Sequence, residues 1–593
     1  MNALSPPRAS GPEIADPIGF QLFRHAITGV ANEMAMTIFR TAYSGVLKNI
    51  MDYSTAICDA QGRLAAQGLS LPGHLCSIPV ALKAAIAAMD EPIEEGDVLV
   101  LNDPYSGGMH LPDIFTFRPV FVEGTLVAWA CAICHHTDVG GRVAGSNASD
   151  STEIFQEGIR IPPLKLYRRD VVDRGLMMML EYNVRMPDRL QGDLRGQIAA
   201  CRLAEQGIQA LARAQGVDRF LSLVEDLLNY SEIITRQALL ALPDGDATFT
   251  DYIDDDGIDV GVPIPLVCTV RKRGDSMVVD WTGTAPQVKG AINNTWSYTA
   301  AASYTAVKTL LGDDAPNNDG VFRAIEVIAP RGTIANAELP AACAARGLTG
   351  FRMADTAFGA LARLAPGRVF ACGDGGNTNV TIGGWTSARK PFIFVDFLSA
   401  AWGARPWKDG LEGNTTMFAN MASYSTETVE SEQPLVVTVN EFVSDSGGPG
   451  RYRGGVAMRR DWMLLEDVAT LSVRADRQSH RPYGLEGGHD GAPGRNLLTR
   501  DGETRKLVSK FTMPMLKGDI FSHSLPSGGG YGDPLEREPA AVLEDWLDDF
   551  VTRESARDIY GVIITDDGML DHAATASMRA DLLAVRTQLQ GAI

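Results

Sequence analysis

Residues 96–145 combine histidines and carboxylates at spacings that suit metal or acid–base chemistry. The stretch holds three of the nine histidines of the chain and four aspartates, with glycines and prolines between them: His110, His135, His136, Asp97, Asp103, Asp113 and Asp138. Imidazole and carboxylate groups are frequent proton carriers and ligands of transition metals. This polar cluster between apolar runs is therefore the first candidate site.

The elements around these residues predict a hairpin. Residues 98–101 form an apolar strand. Asn102-Asp103-Pro104 ends it, because proline lacks an N–H donor and the other two favour turns. Residues 114–122 and 125–134 are rich in β-branched and aromatic side chains, and Glu123-Gly124 between them is a turn signal. Polar side chains therefore collect at strand ends beside a hairpin.

The register of this hairpin decides which side chains meet. A two-residue loop pairs His135 with Pro112, whereas a loop one residue longer places His135 opposite Asp113. Asp113 shares a face with His135 only in the second register, or after a break at Pro112. Either register brings His135 close to the turn His110-x-x-Asp113. Two imidazoles and a carboxylate would then converge, which suits a divalent transition metal with open positions for water or substrate.

Length and composition predict a large globular chain. Its 593 residues are 45% hydrophobic and 21% charged, with a mean hydropathy of −0.03. As a soft prior, that length corresponds to about three or four domains. The formal net charge of −20 opposes nucleic-acid binding, which needs a basic surface.

The chain shows no targeting signal that we recognise. The first residues, MNALSPPRASGPEIADP, lack the apolar segment of a secretory signal. No run approaches the roughly 20 apolar residues that span a bilayer. Eight scattered cysteines do not form a disulfide framework. We therefore expect a cytoplasmic protein.

The order of predicted elements indicates an α+β, multi-domain fold. Residues 21–44, 193–214 and 218–242 predict long amphipathic helices, the last two as a helical hairpin, and residues 149–166 predict a loop over the site. The expected division is a flexible leader (1–17), a mixed α/β metal-site domain (18–185), the helical hairpin (186–243), a mixed α+β domain (244–433), a β-rich domain (434–535) and a C-terminal helical segment (536–593). The last two-thirds of the chain thus contain two β-rich blocks.

Several tempting motifs fail on their context. Cys131-Ala-Ile-Cys134-His135 matches the haem-attachment pattern but lies in an apolar strand of a chain without an export signal. Residues 444–449, SDSGGP, lack a recognisable activating histidine and aspartate and are better interpreted as a turn. Asp254-Asp255-Asp256-Gly257 is expected to be a solvated turn, because the later ligands of a calcium loop do not follow. No phosphate-binding glycine motif is recognisable.

Eight motifs are spread over nearly the whole chain: RTAYS (40–44), MDYSTAICDAQGRLAAQG (51–68), PGHLCSIP (72–79), GDVLVLNDPYSGGMHLPD (96–113), HHTDVGG (135–141), DLRGQIAA (193–200), DSGGPGRYRGG (445–455) and SGGGYGDPLERE (527–538). Together they resemble the hydantoinase B family. That family includes second subunits of N-methylhydantoinases, the corresponding part of 5-oxoprolinases, lactam-hydrolysing relatives, and subunits of acetone and acetophenone carboxylases.

The resemblance implies a metal site and a partner. In such enzymes a hydantoinase A-type partner uses ATP to phosphorylate the substrate at an amide or enol oxygen, and the B-type chain completes the reaction. Carried over by position, the metal ligands would be His110, Asp113, His135 and, as a fourth, Asp52. The expected metal is zinc, with manganese or iron as alternatives. Four further residues are candidates to relay protons or orient ligands: His74, Asp103, His136 and Asp138.

These observations predict the metal-containing subunit of an ATP-dependent enzyme that hydrolyses a hydantoin, 5-oxoproline or another lactam in a hetero-oligomer. Phosphorylation would remove the amide resonance and supply a leaving group, so that metal-bound water, its pKa lowered toward about 7, could attack. The alternatives are a subunit of an ATP-dependent ketone carboxylase and a non-catalytic scaffold subunit whose polar cluster is only a hydrogen-bonded core. A mononuclear non-haem iron oxygenase is the least favoured.

Overall fold

The computed structural model describes residues 14, 16–68, 71–74, 76–312, 315–375, 377–398 and 401–590. Of the leader predicted over residues 1–17, positions 1–13 and 15 lie outside the described residues. The expected α+β class is confirmed, because long helices and four sheets share the chain and the last element is a helix.

The first sheet carries the predicted hairpin at its centre. Its seven strands are all antiparallel to their neighbours and lie in the order β2-β1-β5-β4-β3-β6-β7. They are β1 (Tyr53–Asp59), β2 (Leu64–Gln67), β3 (Val98–Leu101), β4 (Asp113–Val122), β5 (Thr125–His135), β6 (Leu164–Arg168) and β7 (Val171–Val172). The central strands are buried along almost their whole length, since both faces of the sheet are covered.

Helices pack on both faces of this sheet. They are α1 (Pro17–Thr41), α2 (Ser77–Ala87), α3 (Arg174–Tyr182), α4 (Pro187–Gln215) and α5 (Val217–Leu240), with short 3₁₀ turns at Pro72–His74, Pro104–Ser106 and Ile154–Gln156 and a π-helical turn at Val46–Ile50. The predicted helical hairpin is α4–α5, joined at Gly216, whose φ of 83° favours glycine. One core packs β5 against α1 and α4, and a second core covers the opposite face.

The middle of the chain adds a four-stranded sheet in the order β11-β10-β9-β8. Its strands are β8 (Gly245–Ile253), β9 (Ile264–Arg273), β10 (Ser276–Asp280) and β11 (Ile325–Ile328), and its helices are α6 (Trp296–Lys308), α7 (Asp319–Phe322) and α8 (Arg346–Leu364). Helix α8 contacts β8, β9 and α6. Its first turn points toward the hairpin of the first sheet, because Arg346 contacts Asp113.

The remaining elements form two sheets and a helical tail. They are β12 (Thr378–Trp385), β13 (Pro391–Leu398), α9 (Thr426–Glu432), β14 (Leu435–Val443), β15 (Ala457–Leu464), β16 (Val468–Arg474), β17 (Arg495–Arg500), β18 (Glu503–Leu507), β19 (Lys510–Leu516), β20 (Ile520–Ser524), α10 (Pro539–Leu547), α11 (Arg553–Asp558) and α12 (His572–Gln590). The sheet orders are β13-β12-β16-β19 and β14-β15-β20-β17-β18. The first of these takes strands from both sides of the boundary predicted at residue 433.

The expectation of a solvated turn at Asp254-Asp255-Asp256 is wrong. The three aspartates are only 5%, 6% and 3% exposed. Asp254 accepts hydrogen bonds from the backbone N–H groups of Gln478 (2.6 Å) and His480 (3.0 Å), which follow β16. The sequence around Asp254 did not reveal its hydrogen-bond partners, because they lie more than 200 positions away. The carboxylate of Asp254 instead ties the end of β8 to the segment after β16.

Among the residues that the structure describes, no helix combines the length and apolar character needed to cross a membrane.

Candidate metal centre

The hairpin β4–β5 places Asp113 and His135 directly opposite each other. Its turn has two residues, Glu123 (φ 52°) and Gly124 (φ 78°), in the left-handed region that tight hairpins use. The pairing nevertheless shifts by one position at a β-bulge between Val120 and Phe121, where Val127 is the extra residue on β5. The second predicted register is thus reached through a bulge, not through a longer loop.

His110 approaches this pair from the turn before β4. The backbone N–H of Asp113 donates to the His110 carbonyl at 3.0 Å. The His110 Nδ1 lies 2.8 Å from the Ala344 carbonyl oxygen, so Nδ1 carries the hydrogen and Nε2 presents a lone pair. That Nε2 lies 3.2 Å from Oδ2 of Asp113. Two acceptors facing each other at this distance need a cation or a proton between them.

His135 completes a set of three buried ligand atoms. One atom from each of His110, Asp113 and His135 lies within 4.8 Å of the others. Neither nitrogen of His135 has a hydrogen-bond partner among the described residues, and the same is true of Oδ1 of Asp113. Buried polar atoms without partners are costly. The donor set of two imidazoles and a carboxylate therefore fits a divalent transition metal.

Electrostatics keeps these groups in ligand form. Burial acts to raise the pKa of Asp113, but the electrostatic interactions with His110 and Arg346 hold it well below its usual range. Burial, followed by the charge of His110, lowers the pKa of His135 well below its ordinary value. The carboxylate is therefore ionised and the imidazole neutral near pH 7, which are the forms that bind metals.

Asp52 and His74 line the same small cavity as His110 and His135. Asp52 follows the π-helical turn, and its Oδ1 lies 4.0 Å from Nε2 of His74. The other nitrogen of His74 is hydrogen-bonded to Oγ of Ser54 at 2.8 Å. Burial, followed by the charge of Asp113, raises the pKa of Asp52 to about 8, and burial lowers that of His74 to about 4. Both predicted residues thus belong to the cavity, although Asp52 stands outside the close set of three.

The family model described as Hydantoinase B/oxoprolinase matches residues 16–534. The chain belongs to this hydantoinase B family. A protein of Pseudomonas sp. (strain NS671), provisionally named as the B-type subunit of a D-/L-hydantoinase, is 34% identical over 583 residues, which are 95% of this chain and 98% of that protein. The resemblance indicated by the eight motifs is therefore confirmed.

The solved structures that are similar to this hydantoinase B family member include the following two. The crystal structure of ATP-dependent caprolactamase from Pseudomonas jessenii superposes with a TM-score of 0.89 at 30% identity and covers 95% of this chain and 99% of that chain. Nucleotide-free acetone carboxylase superposes with a TM-score of 0.90 at 20% identity and covers 97% of this chain and 84% of that chain. The second likeness concerns the fold alone.

Sequence reasoning missed two arginines in the cavity of this family member. Arg346 is the first residue of α8, and Arg474 is the last residue of β16; both line the cavity and are 5% and 1% exposed. Arg346 donates to Oδ2 of Asp113 at 2.5 Å and stacks over the ring of Tyr298 at 3.9 Å. A positive charge at a helix N-terminus opposes the helix dipole, so Arg346 carried a weak signal of a special role.

The structure places Asp103, His136 and Asp138 outside this cavity. His136 follows His135 and points to the opposite face of the sheet, where its Nε2 is hydrogen-bonded to Oε1 of Gln197 at 2.9 Å. Asp103 caps the short turn after β3 and pairs with Arg160 at 2.9 Å.

Asp138 accepts a hydrogen bond from the backbone N–H of Arg185 at 2.7 Å, and its carboxylate forms an ion pair with the guanidinium of Arg185 at 2.8 Å. Each of these three candidates thus makes a structural contact that accounts for its burial. Strand alternation and turn capping are the two rules that separate them from His110, Asp113 and His135.

The segment predicted to lie over the site contributes one residue, Glu157, that supports the backbone next to it. Glu157, 2% exposed, accepts from the backbone N–H groups of Cys343 (2.7 Å) and Ala344 (2.8 Å) through one oxygen. The carbonyl of Ala344 is the group that fixes the tautomer of His110. Glu157 therefore positions the imidazole of His110 indirectly, through the backbone of Ala344.

Proposed function

We propose that this chain is the metal-containing subunit that completes the hydrolysis of a cyclic amide after an ATP-dependent partner has phosphorylated the amide oxygen. The observation that carries the proposal is the buried set of His110, Asp113 and His135: their ligand atoms lie within 4.8 Å of one another, and Nε2 of His110, Oδ1 of Asp113 and both nitrogens of His135 have no hydrogen-bond partner among the described residues. Membership of the hydantoinase B family and the likeness to an ATP-dependent caprolactamase support it.

The chemistry follows from the electronic structure of an amide. Resonance makes the carbonyl carbon a poor electrophile, and the amine is a poor leaving group. A phosphoryl group on the oxygen removes this resonance and turns the oxygen into a leaving group. Water must then add to the carbon and lose one proton, while the nitrogen must gain one as the C–N bond breaks. The acyl phosphate that results is attacked by a second water, and phosphate leaves as the carboxylic acid forms. The site therefore needs proton carriers as well as an activator of water.

His110, Asp113 and His135, with Asp52 as the fourth ligand, would hold the metal. A divalent metal there would lower the pKa of a coordinated water toward about 7 and so supply a nucleophile at neutral pH. Zinc suits this donor set, and manganese or iron would also accept it. Arg346 neutralises part of the negative charge of Asp113 through its 2.5 Å contact and keeps that carboxylate oriented.

His74 is the proposed proton carrier, at a place between the metal ligands and Ser54. Its pKa of about 4, lowered by burial, means that the ring is neutral at pH 7 and that a proton taken up during the reaction would be passed on readily, as a relay to the leaving nitrogen requires. The aromatic rings of Tyr298, Phe397 and Phe418 line the remaining wall and limit the access of bulk water to the reacting carbon.

The proposed partner is a hydantoinase A-type chain that binds ATP. The substrate class is a hydantoin, 5-oxoproline or another lactam. A ketone carboxylase built on the same fold is the alternative, and a scaffold subunit without a metal is the second.

The test is co-purification of the chain with its A-type partner, followed by metal analysis and assays of ATP-dependent ring opening. Wild type should hold about one metal per chain, and His110→Ala should lose both the metal and the activity. His25→Ala, a substitution in the exposed part of α1, is the matched control and should retain both. Activity in a metal-free wild-type complex would contradict the metal role, and bicarbonate-dependent consumption of a ketone without ring opening would favour the carboxylase.

A further inference from the structure

Within the part of the chain that the structure describes, Arg474 is a buried cation without a carboxylate partner. It is 1% exposed. Its Nε donates to the backbone oxygen of Asn377 at 2.9 Å and its Nη1 to Oδ1 of Asn147 at 3.2 Å. Its Nη2 has no hydrogen-bond partner within the described parts of the chain, and no carboxylate there comes within 4.0 Å of the guanidinium. A buried charge left in this state is expensive unless a ligand of opposite charge pairs with it.

A second buried guanidinium faces the same cavity. Arg346 donates a hydrogen bond from Nη2 to Asp113, but its Nε has no hydrogen-bond partner among the described residues. The two arginines repel each other: burial, followed by the charge of Arg346, lowers the pKa of Arg474 to about 9. A metal on the neighbouring ligands would add two further positive charges. The cavity therefore favours a ligand group that carries two negative charges.

The first turn of α8 adds a further positive element. The residue before this turn, Ala345, offers no side-chain cap, and the positive end of the 19-residue helix points toward the arginines. Gly347 in this turn allows the close approach: an added Cβ would lie 2.9 Å from Nδ2 of Asn377 and 3.6 Å from Cζ of Arg474. Glycine at this position thus keeps open the space between the helix end and the guanidinium of Arg474.

We propose that Arg474 and Arg346 form a binding site for a phosphoryl group beside the metal ligands. The proposal rests on the proposed function, because that function supplies a phosphorylated intermediate and releases phosphate. Guanidinium groups present paired N–H donors in a planar fork that matches phosphoryl oxygens, and a phosphoryl dianion balances the two arginines better than a monoanionic carboxylate does. Bound there, the phosphoryl group would hold the activated carbon next to His110, Asp113 and His135.

The first measurement is the binding of inorganic phosphate to the full chain by calorimetry, with the metal removed so that only the protein contributes. Arg474→Gln should weaken phosphate binding at least tenfold, because a hydrogen bond between two charged groups is roughly twice as strong as one between neutral groups. Arg474→Lys keeps the charge but loses the fork, so a smaller loss is expected. Arg495→Gln, an exposed arginine on β17, is the matched control and should leave the affinity unchanged.

Several outcomes would overturn this site. They are the absence of phosphate binding by wild type up to about 10 mM, unchanged affinity in both Arg474 variants, and acetate binding as tight as phosphate binding. If Arg474→Gln does not fold, as judged by its thermal transition, Arg474→Lys alone decides. None of these results bears on whether the complex opens lactams, so failure of the site and failure of the proposed function remain distinguishable.

The assembled complex distinguishes the two sources of the phosphoryl group. If the site holds the phosphorylated substrate, Arg474→Lys should raise the ratio of ATP hydrolysed to rings opened, because the intermediate escapes before water attacks. If it holds only released phosphate, the ratio stays constant and inhibition by added phosphate weakens. Unchanged coupling together with unchanged phosphate inhibition would overturn the assignment.

Discussion

Asp113 lies opposite His135 in the β4–β5 ladder, although the two-residue turn of this hairpin starts the pairing one position out of that register. The extra residue Val127 corrects the offset. Because side chains alternate between faces along a strand, a slip of one position would place His135 and Asp113 on opposite faces of the sheet. The bulge is thus the local feature on which the candidate metal centre depends.

Asp52 should make metal affinity depend on pH. Burial, followed by the charge of Asp113, raises its pKa to about 8 in the metal-free protein, so below that pH a metal that uses Asp52 must displace a proton. Affinity should therefore rise up to tenfold per unit as pH increases toward 8, and then level off. Asp52→Asn should bind more weakly at pH 8 and show a flatter profile. Competition titrations with a chelator from pH 6 to 9 measure this, and a flat wild-type profile would remove Asp52 from the ligand set.

His135 and His136 should respond differently to substitution. His135→Ala should remove bound metal, whereas His136→Ala should retain it and lose stability, because Gln197 loses its 2.9 Å partner and a buried space opens. We expect the loss to be about 2–4 kcal/mol. Metal content and denaturant unfolding of the two variants provide the comparison. A folded, metal-free His136→Ala protein would mean that the second histidine does take part in the centre.

Glu157 should make stability fall with rising pH. Burial raises its pKa to about 8, against the backbone N–H groups of Ala344 and Cys343, which lower it. Between its ordinary pKa of 4.5 and about 8 the folded state holds a proton that the unfolded state has lost. Stability is therefore lost across this window, by up to about 1.4 kcal/mol per pH unit. Glu157→Gln keeps an oxygen for both N–H groups and should lose stability less steeply in urea unfolding from pH 5 to 9. Parallel profiles for the two proteins would contradict the assignment.

Asp254 should contribute strongly to stability. Asp254→Ala leaves the N–H groups of Gln478, Ser479 and His480 without their acceptor, at an expected cost of about 2–4 kcal/mol. Asp259→Ala is the matched control, since that aspartate is half-exposed and pairs with an exposed lysine. Chemical denaturation of both variants checks the contrast. Equal denaturation midpoints of the two variants would show that the buried contacts of Asp254 contribute no more to stability than the exposed ion pair of Asp259.

The hairpin and the meeting of His110, Asp113 and His135 could be predicted because their signals are local. The turn at Glu123-Gly124 and the spacing of His110, Asp113 and His135 limited the possibilities to two registers. The bulge at Val127 decides between these two registers, and nothing in the apolar sequence around Val127 predicts it. His136 could have been excluded by alternation, since neighbours on a strand face opposite ways.

The arginines and the buried aspartates could not be predicted in the same way. Arg346 and Arg474 belong to elements far from the hairpin in sequence, and only the packing of α8 and β16 brings them to the cavity. Asp254 has the composition of a surface turn, and its partners after β16 carry no complementary pattern. The sheet that joins β12 and β13 to β16 and β19 likewise crosses the boundary predicted at residue 433, and the domain division stays a prediction.

The long separation of these contacts also affects how the protein is made. Arg346 and Asp113 are 233 positions apart, and Arg474 and Asn147 are 327 apart. The proposed metal ligands therefore emerge from the ribosome long before Arg474 has been synthesised. Contacts of such separation also slow folding, because distant segments must meet before either is stabilised. A nascent chain would acquire the proposed metal ligands first and the proposed phosphoryl-binding Arg474 last.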